Sequence, residues 1–108
     1  MKTKSKPASL AKVIAPPDYA VLNAALEQEL DLAWTAANQA RLKRRVGPVN
    51  FAKLEEIISF VSNQEAWLND PSLSSAADKV EGKLSQYYPS LSPGAIFKVV
   101  NQATYGWR

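Results

Sequence analysis

The chain has 108 residues, is 46% hydrophobic and 21% charged, and carries a formal net charge of +3. That is ordinary composition for one globular domain, long enough to bury a core without staples. Cysteine and histidine are both absent, which excludes disulfides, thiolate nucleophiles, zinc-finger ligand sets and an imidazole base for a hydrolytic triad.

Residues 1–15 hold Lys2, Lys4, Lys6 and Lys12 and no acid. Without those four cations the remaining residues 13–108 carry a net charge of −1, so the basicity belongs to a tail and the body is nearly neutral. A Lys/Ser/Pro segment of this kind buries too little apolar surface to order itself, and we expect a disordered basic tail. Its apolar run, Val13-Ile14-Ala15, stops at Pro16-Pro17 and is too short for a secretory signal. Lysine in place of arginine, together with Pro7, argues against a mitochondrial presequence. No segment approaches the ~20 apolar residues of a membrane span, and the expected setting is cytoplasmic, without a membrane partner.

Pro16-Pro17-Asp18 opens a helical pattern that runs to Val46, where Gly47-Pro48 ends it. Its apolar stripe is Tyr19, Leu22, Leu26, Leu30, Ala33, Ala37 and Ala40, spaced three or four residues apart. A helix of that extent would be about 40 Å long. A side strip of Val21, Ala25, Leu32 and Ala36 widens the apolar face. Such a helix serves as the centre of a domain or as a dimer interface. Asn50 is positioned to cap a second helix from Phe51 to about Asn69, with Phe51, Leu54, Ile57, Ile58, Val61, Trp67 and Leu68 as its stripe.

Ser75 and Asp78 resemble a capping box for a third helix bearing Ala76, Ala77, Val80, Leu84 and Tyr87. Gly82 interrupts that helix, which reads either as a close approach of another helix or as a flexible point. The fourth start is the clearest. Ser92 caps, Pro93 occupies the first helical position, and Leu91 and Ile96 are placed as a hydrophobic staple. Ile96, Val99, Val100 and Ala103 form its stripe, and Gly106 is a natural terminator. No stretch alternates with a period of two. The expected fold is all-α, a small four-helix domain over residues 16–108 with a long first helix.

Arg41-Leu42-Lys43-Arg44-Arg45 is the densest basic cluster. It reads either as a phosphate-binding patch or as the cationic end of a dipole-matched helix whose acids, Asp18, Glu27, Glu29 and Asp31, come earlier. Carboxylates are the only plausible metal ligands, and Glu27/Asp31, four apart, could share one ion, as could adjacent Glu55/Glu56 less comfortably. Helical carboxylate metal sites add a Glu-x-x-His pair, which is missing. The four glycines are too far apart for a phosphate loop. No metal, cofactor or enzymatic activity is expected. Among the aromatics, Trp67, Tyr87 and Tyr88 read as core, whereas Trp34, Tyr105 and Trp107 with Arg108 are residue types enriched at interface hot spots. Trp107 either folds back over the last helix past Gly106 or faces a partner.

These features fit a non-enzymatic protein-binding module, such as an immunity or antitoxin-like inhibitor or a small phage or bacterial regulator. The candidate contact residues are Glu27, Asp31, Trp34, Arg41, Arg44, Arg45, Tyr105, Trp107 and Arg108. Nucleic acid is the alternative partner, through the lysine tail and Arg41–Arg45, but the final helix offers only Lys98 as a base. A third possibility is an assembly protein that forms a homodimer through the first helix.

Overall fold

In the computed structural model, residues 16–106 are described; the basic tail, Trp107 and Arg108 lie outside them. The described residues form helices and no strand. The helices are α1 (Tyr19–Glu29), α2 (Ala36–Val46), α3 (Pro48–Ser62), the single turn α4 (Ala66–Asn69), α5 (Leu73–Tyr87) and α6 (Pro93–Gly106). The all-α expectation holds, while the count of four and the long first helix need correction.

The expected first helix is broken into α1 and α2. Its start is as expected: the Asp18 carboxylate accepts from the backbone N–H groups of Ala20 and Val21. Leu30 then turns to extended backbone, and a second helix starts at Thr35, whose hydroxyl accepts from the Asn38 N–H. Asn38 is fully buried. Its side-chain amide donates to Glu29 O at 2.9 Å and accepts from Asp31 N at 3.0 Å, so one side chain satisfies the backbone on both sides of the break.

Burial explains why the helix cannot continue. The core positions are Leu22, Leu26 and Leu30 in the first half, and Asn38, Leu42 and Val46 in the second. On one straight helix, at about 100° per residue, these two stripes would point roughly 160° apart, leaving one of them in water. Folding α2 back against α1 turns both inward. Ala37 and Ala40, which carried the apparent stripe onward, are exposed.

The α2–α3 corner is made by Gly47, the C-cap of one helix and N-cap of the next, with φ 86° and ψ 166°. Asn50 is therefore not the cap. It lies inside α3, accepting from Asp18 N at 2.7 Å and donating to Val46 O at 2.9 Å, and so ties three helix ends together. α3 stops at Ser62, and Trp67 from α4 is buried beneath it, its indole N–H donating to Val61 O at 2.7 Å. Leu68 points out, 72% exposed, because α4 is too short to present two faces to the core.

Ser72, three residues before the expected position, caps α5 by accepting from Ser75 N. No other helix approaches Gly82, which faces open space. α6 begins as read from the sequence, with Ser92 accepting from Ala95 N and Leu91 and Ile96 both buried. α6 is the hub of the fold, packing on α1, α3 and α5 through Ala95, Ile96, Val99, Val100 and Ala103.

Candidate functional site

The acid–base pattern of residues 27–45 works across the helical hairpin and not along one helix. Arg41 reaches the carboxylates of Asp31 at 3.0 Å and Glu29 at 3.6 Å. Arg45 pairs with Glu29 and bonds Gln28 Oε1. The bases do lie in the last turn of α2, where the dipole favours them. The acids Glu27 and Glu29, however, lie in the last turn of α1, the unfavourable end, and the arginines of the neighbouring helix offset that cost for Glu29. Lys43 and Arg44 remain as exposed cations without an ion pair among the described residues.

Glu27 has a different structural partner. Its carboxylate bonds the Ser92 hydroxyl at the N-terminus of α6, where a negative charge is stabilised. It also lies so close to Gly94 that a Cβ there would meet it at 2.8 Å. Nearby, Asn23 accepts from Ser92 N and donates to Ser90 O, completing the α1–α6 joint. Trp34 stacks on Phe51 with ring centroids 6.4 Å apart and is half-buried, so it closes the hairpin loop over α3. Five of the candidate contact residues, Glu27, Asp31, Trp34, Arg41 and Arg45, thus hold α1, α2, α3 and α6 together.

Around Tyr88, Lys53 contacts Glu56 at 2.9 Å and the Tyr88 hydroxyl donates to the same carboxylate at 2.6 Å. The Tyr88 hydrogen bond, and then that of Lys53, hold the Glu56 carboxyl below its usual pKa of 4.5. Burial, and then the Glu56 hydrogen bond, push the Tyr88 phenol up, while Glu56 raises Lys53. Glu56 therefore contributes stability above its unfolded-state pKa and loses it as pH falls through the lowered folded value. Tyr88 and Lys53 contribute below their unfolded values and lose it as pH rises through the raised ones. Glu56 is exposed and Lys53 half-buried at the surface, which limits the worth of the pair to about 0.2–1 kcal/mol. Glu56→Gln is expected to melt slightly below the parent at pH 7, by a gap that narrows as the pH falls below 4.5. A gap that does not narrow on acidification would assign Glu56 a role independent of its charge.

Tyr87 is 57% exposed against Phe60, its ring centroid 5.2 Å away, and so lies outside the core in which the sequence seemed to place it. A groove of about 620 Å³ lies between the end of α3, α4 and α5. It is mostly polar, and the Lys79–Asp70 ion pair at 2.7 Å lies along its wall, the Asp70 side chain almost fully covered. Lys79, and then Ser75, hold the Asp70 carboxyl below its usual pKa.

The α5–α6 face carries a smaller groove. Ala77 and Val100 form the floor of a groove of about 220 Å³ with Phe97, while Ser74, Asp78, Glu81 and Asn101 form its polar edge. Phe97 is 60% exposed. Phe97, Asn101 and Tyr105 recur every four residues and so lie along one side of α6, away from its buried stripe. Tyr105 is 44% exposed. Asp78 and Glu81 are exposed and make no ion pair among the described residues. Sequence reasoning found Tyr105 and missed Phe97, whose signal is its spacing to Tyr105 combined with its position beside, and not in, the Ile96–Val99–Val100–Ala103 stripe.

Among the described residues, no three acidic side chains gather as a metal site and no helix is long and apolar enough to cross a membrane. No protein-family model, curated protein or solved structure matches this chain.

Proposed function

We propose that this protein is a non-enzymatic protein-binding module of the inhibitor or small-regulator kind, and that it docks its partner on the α5–α6 face. The observation that carries the proposal is Phe97, a large aromatic left 60% exposed on a groove that it lines with Ala77 and Val100 among polar side chains. An aromatic anchor beside a pocket, rimmed by polar groups, is the arrangement that concentrates binding energy at protein interfaces. The carboxylates of Asp78 and Glu81 at the groove edge favour a partner whose apolar segment is flanked by Lys or Arg. A basic enzyme whose surface is occluded by this face fits that description.

A photo-crosslinking residue placed at position 97, with a control at position 44, tests the proposal in cells of the native source. One protein adduct is expected from position 97. Binding reconstituted with that purified protein should weaken roughly 30-fold or more for Phe97→Ala, the scale of a hot-spot truncation. Asp78→Lys with Glu81→Lys should slow association and flatten its salt dependence. Nucleic-acid adducts from position 44, with none from 97, would move the function to the exposed Lys43–Arg44 surface.

A further inference from the structure

The hairpin between α1 and α2 lacks the residues that ordinarily make a permanent helix break. From Tyr19 to Val46 there is no glycine and no proline. The loop itself, Leu30-Asp31-Leu32-Ala33-Trp34-Thr35, includes the good helix formers Leu30, Leu32 and Ala33. What holds the chain bent is tertiary: the buried Asn38 amide across the break, the Thr35 cap, and Arg41 and Arg45 on Glu29 and Asp31. Leu32 stands 52% exposed in the bent form.

The opposed stripes of the two halves add a second constraint. A single copy must bend to bury both Leu22–Leu26–Leu30 and Leu42–Val46. Two copies need not. If the chain runs straight through residues 30–35, its first half can lie on the α6 of another copy while its second half stays on its own α3. Each Asn23–Ser92 and Glu27–Ser92 contact then re-forms between chains, and only the hinge bonds change.

We infer that a second copy of this chain is a partner: residues 30–35 are a swap hinge, and α1 exchanges between copies to give a dimer with one continuous α1–α2 helix in each. Exchange of an identical element across a short hinge is a low-cost route to a dimer. Asn38 sets the balance, because its two backbone bonds exist only in the bent form. The α5 edge of the binding face is untouched, so the dimer would present two such faces to a bivalent target.

The full chain, refolded over a range of concentrations and separated by size with mass detection, tests this inference. We expect a dimer whose share grows with protein concentration during refolding and which exchanges slowly once formed. Asn38→Leu, and the milder Asn38→Ala, should raise the dimer-to-monomer ratio roughly ten-fold, since each removes a buried hydrogen-bonding group specific to the bend. Leu32→Pro forbids a straight helix, and the Leu32 N–H makes no backbone hydrogen bond in the bent loop, so this variant should be folded and monomeric. A strictly monomeric parent with folded, monomeric Asn38 variants would overturn the inference. So would a dimer that survives Leu32→Pro, because that dimer would be joined at its surface and not by exchange.

Discussion

Trp67→Ala is expected to remove about 3–5 kcal/mol of stability, the cost of deleting a large buried aromatic. A domain of this size holds only about 5–15 kcal/mol in total, so the variant should be partly unfolded near its growth temperature. Two contributions combine here. The indole fills the space under the end of α3, and its N–H satisfies Val61 O, a carbonyl at the helix terminus where intrahelical partners run out. Trp67→Phe separates them: it keeps most of the volume and loses the hydrogen bond, and should cost about 1–3 kcal/mol. Urea unfolding of the three proteins, with equal slopes, checks both numbers. If Trp67→Phe is as damaging as Trp67→Ala, the hydrogen bond dominates and the packing account fails.

Gly47→Ala is the second large effect, and it acts through the backbone alone. At φ 86° and ψ 166° the residue occupies a region that side-chain-bearing L-residues avoid. An added Cβ would meet nothing within 4 Å, so the cost is conformational and not steric crowding by neighbours. We expect a loss of about 1–3 kcal/mol. The opposite result is expected for D-alanine, introduced by chemical ligation. Its preferred φ is positive, and by restricting the unfolded chain it should stabilise the fold by about 0.4–1 kcal/mol. Thermal melts of the L and D variants should therefore fall on opposite sides of the parent. If both destabilise, the space around position 47 matters after all.

The helix ends marked by local chemistry were legible in the sequence. Asp18, Gly47-Pro48 and Ser92-Pro93 each act within a few residues of themselves, and each stands where the pattern put it. The break at Leu30–Thr35 was not legible, because its cause is tertiary. Ala33, Ala37 and Ala40 continued the apolar period, while the true second stripe begins with Asn38, a polar residue that counts as solvent-facing until its backbone partners are seen. The same failing hid the use of the charges. Arg41 and Arg45 share a chain segment with Glu29 and Asp31, but they meet them only because the hairpin closes. Once those pairs are formed, the exposed aromatics left are on α5 and α6, where the eight-residue spacing of Phe97 and Tyr105, beside the buried stripe, was the advance signal.

The place of α6 as hub has a consequence for the birth of the protein. Asn23 and Ser92, which join α1 to α6, are 69 positions apart in the chain. At about 5–20 residues per second of synthesis, roughly 3 to 14 s pass between the emergence of the one and the other. Throughout that interval Leu22 and Leu26 have no α6 to cover them, and an 11-residue helix such as α1 is marginal by itself. The faces of α1, α3 and α5 that pack on α6 therefore stay uncovered until α6 emerges. Slower translation lengthens the interval in which those faces lack α6. Yield in a foreign host should accordingly depend on the chaperones that shield this waiting chain more than on codon pacing within it.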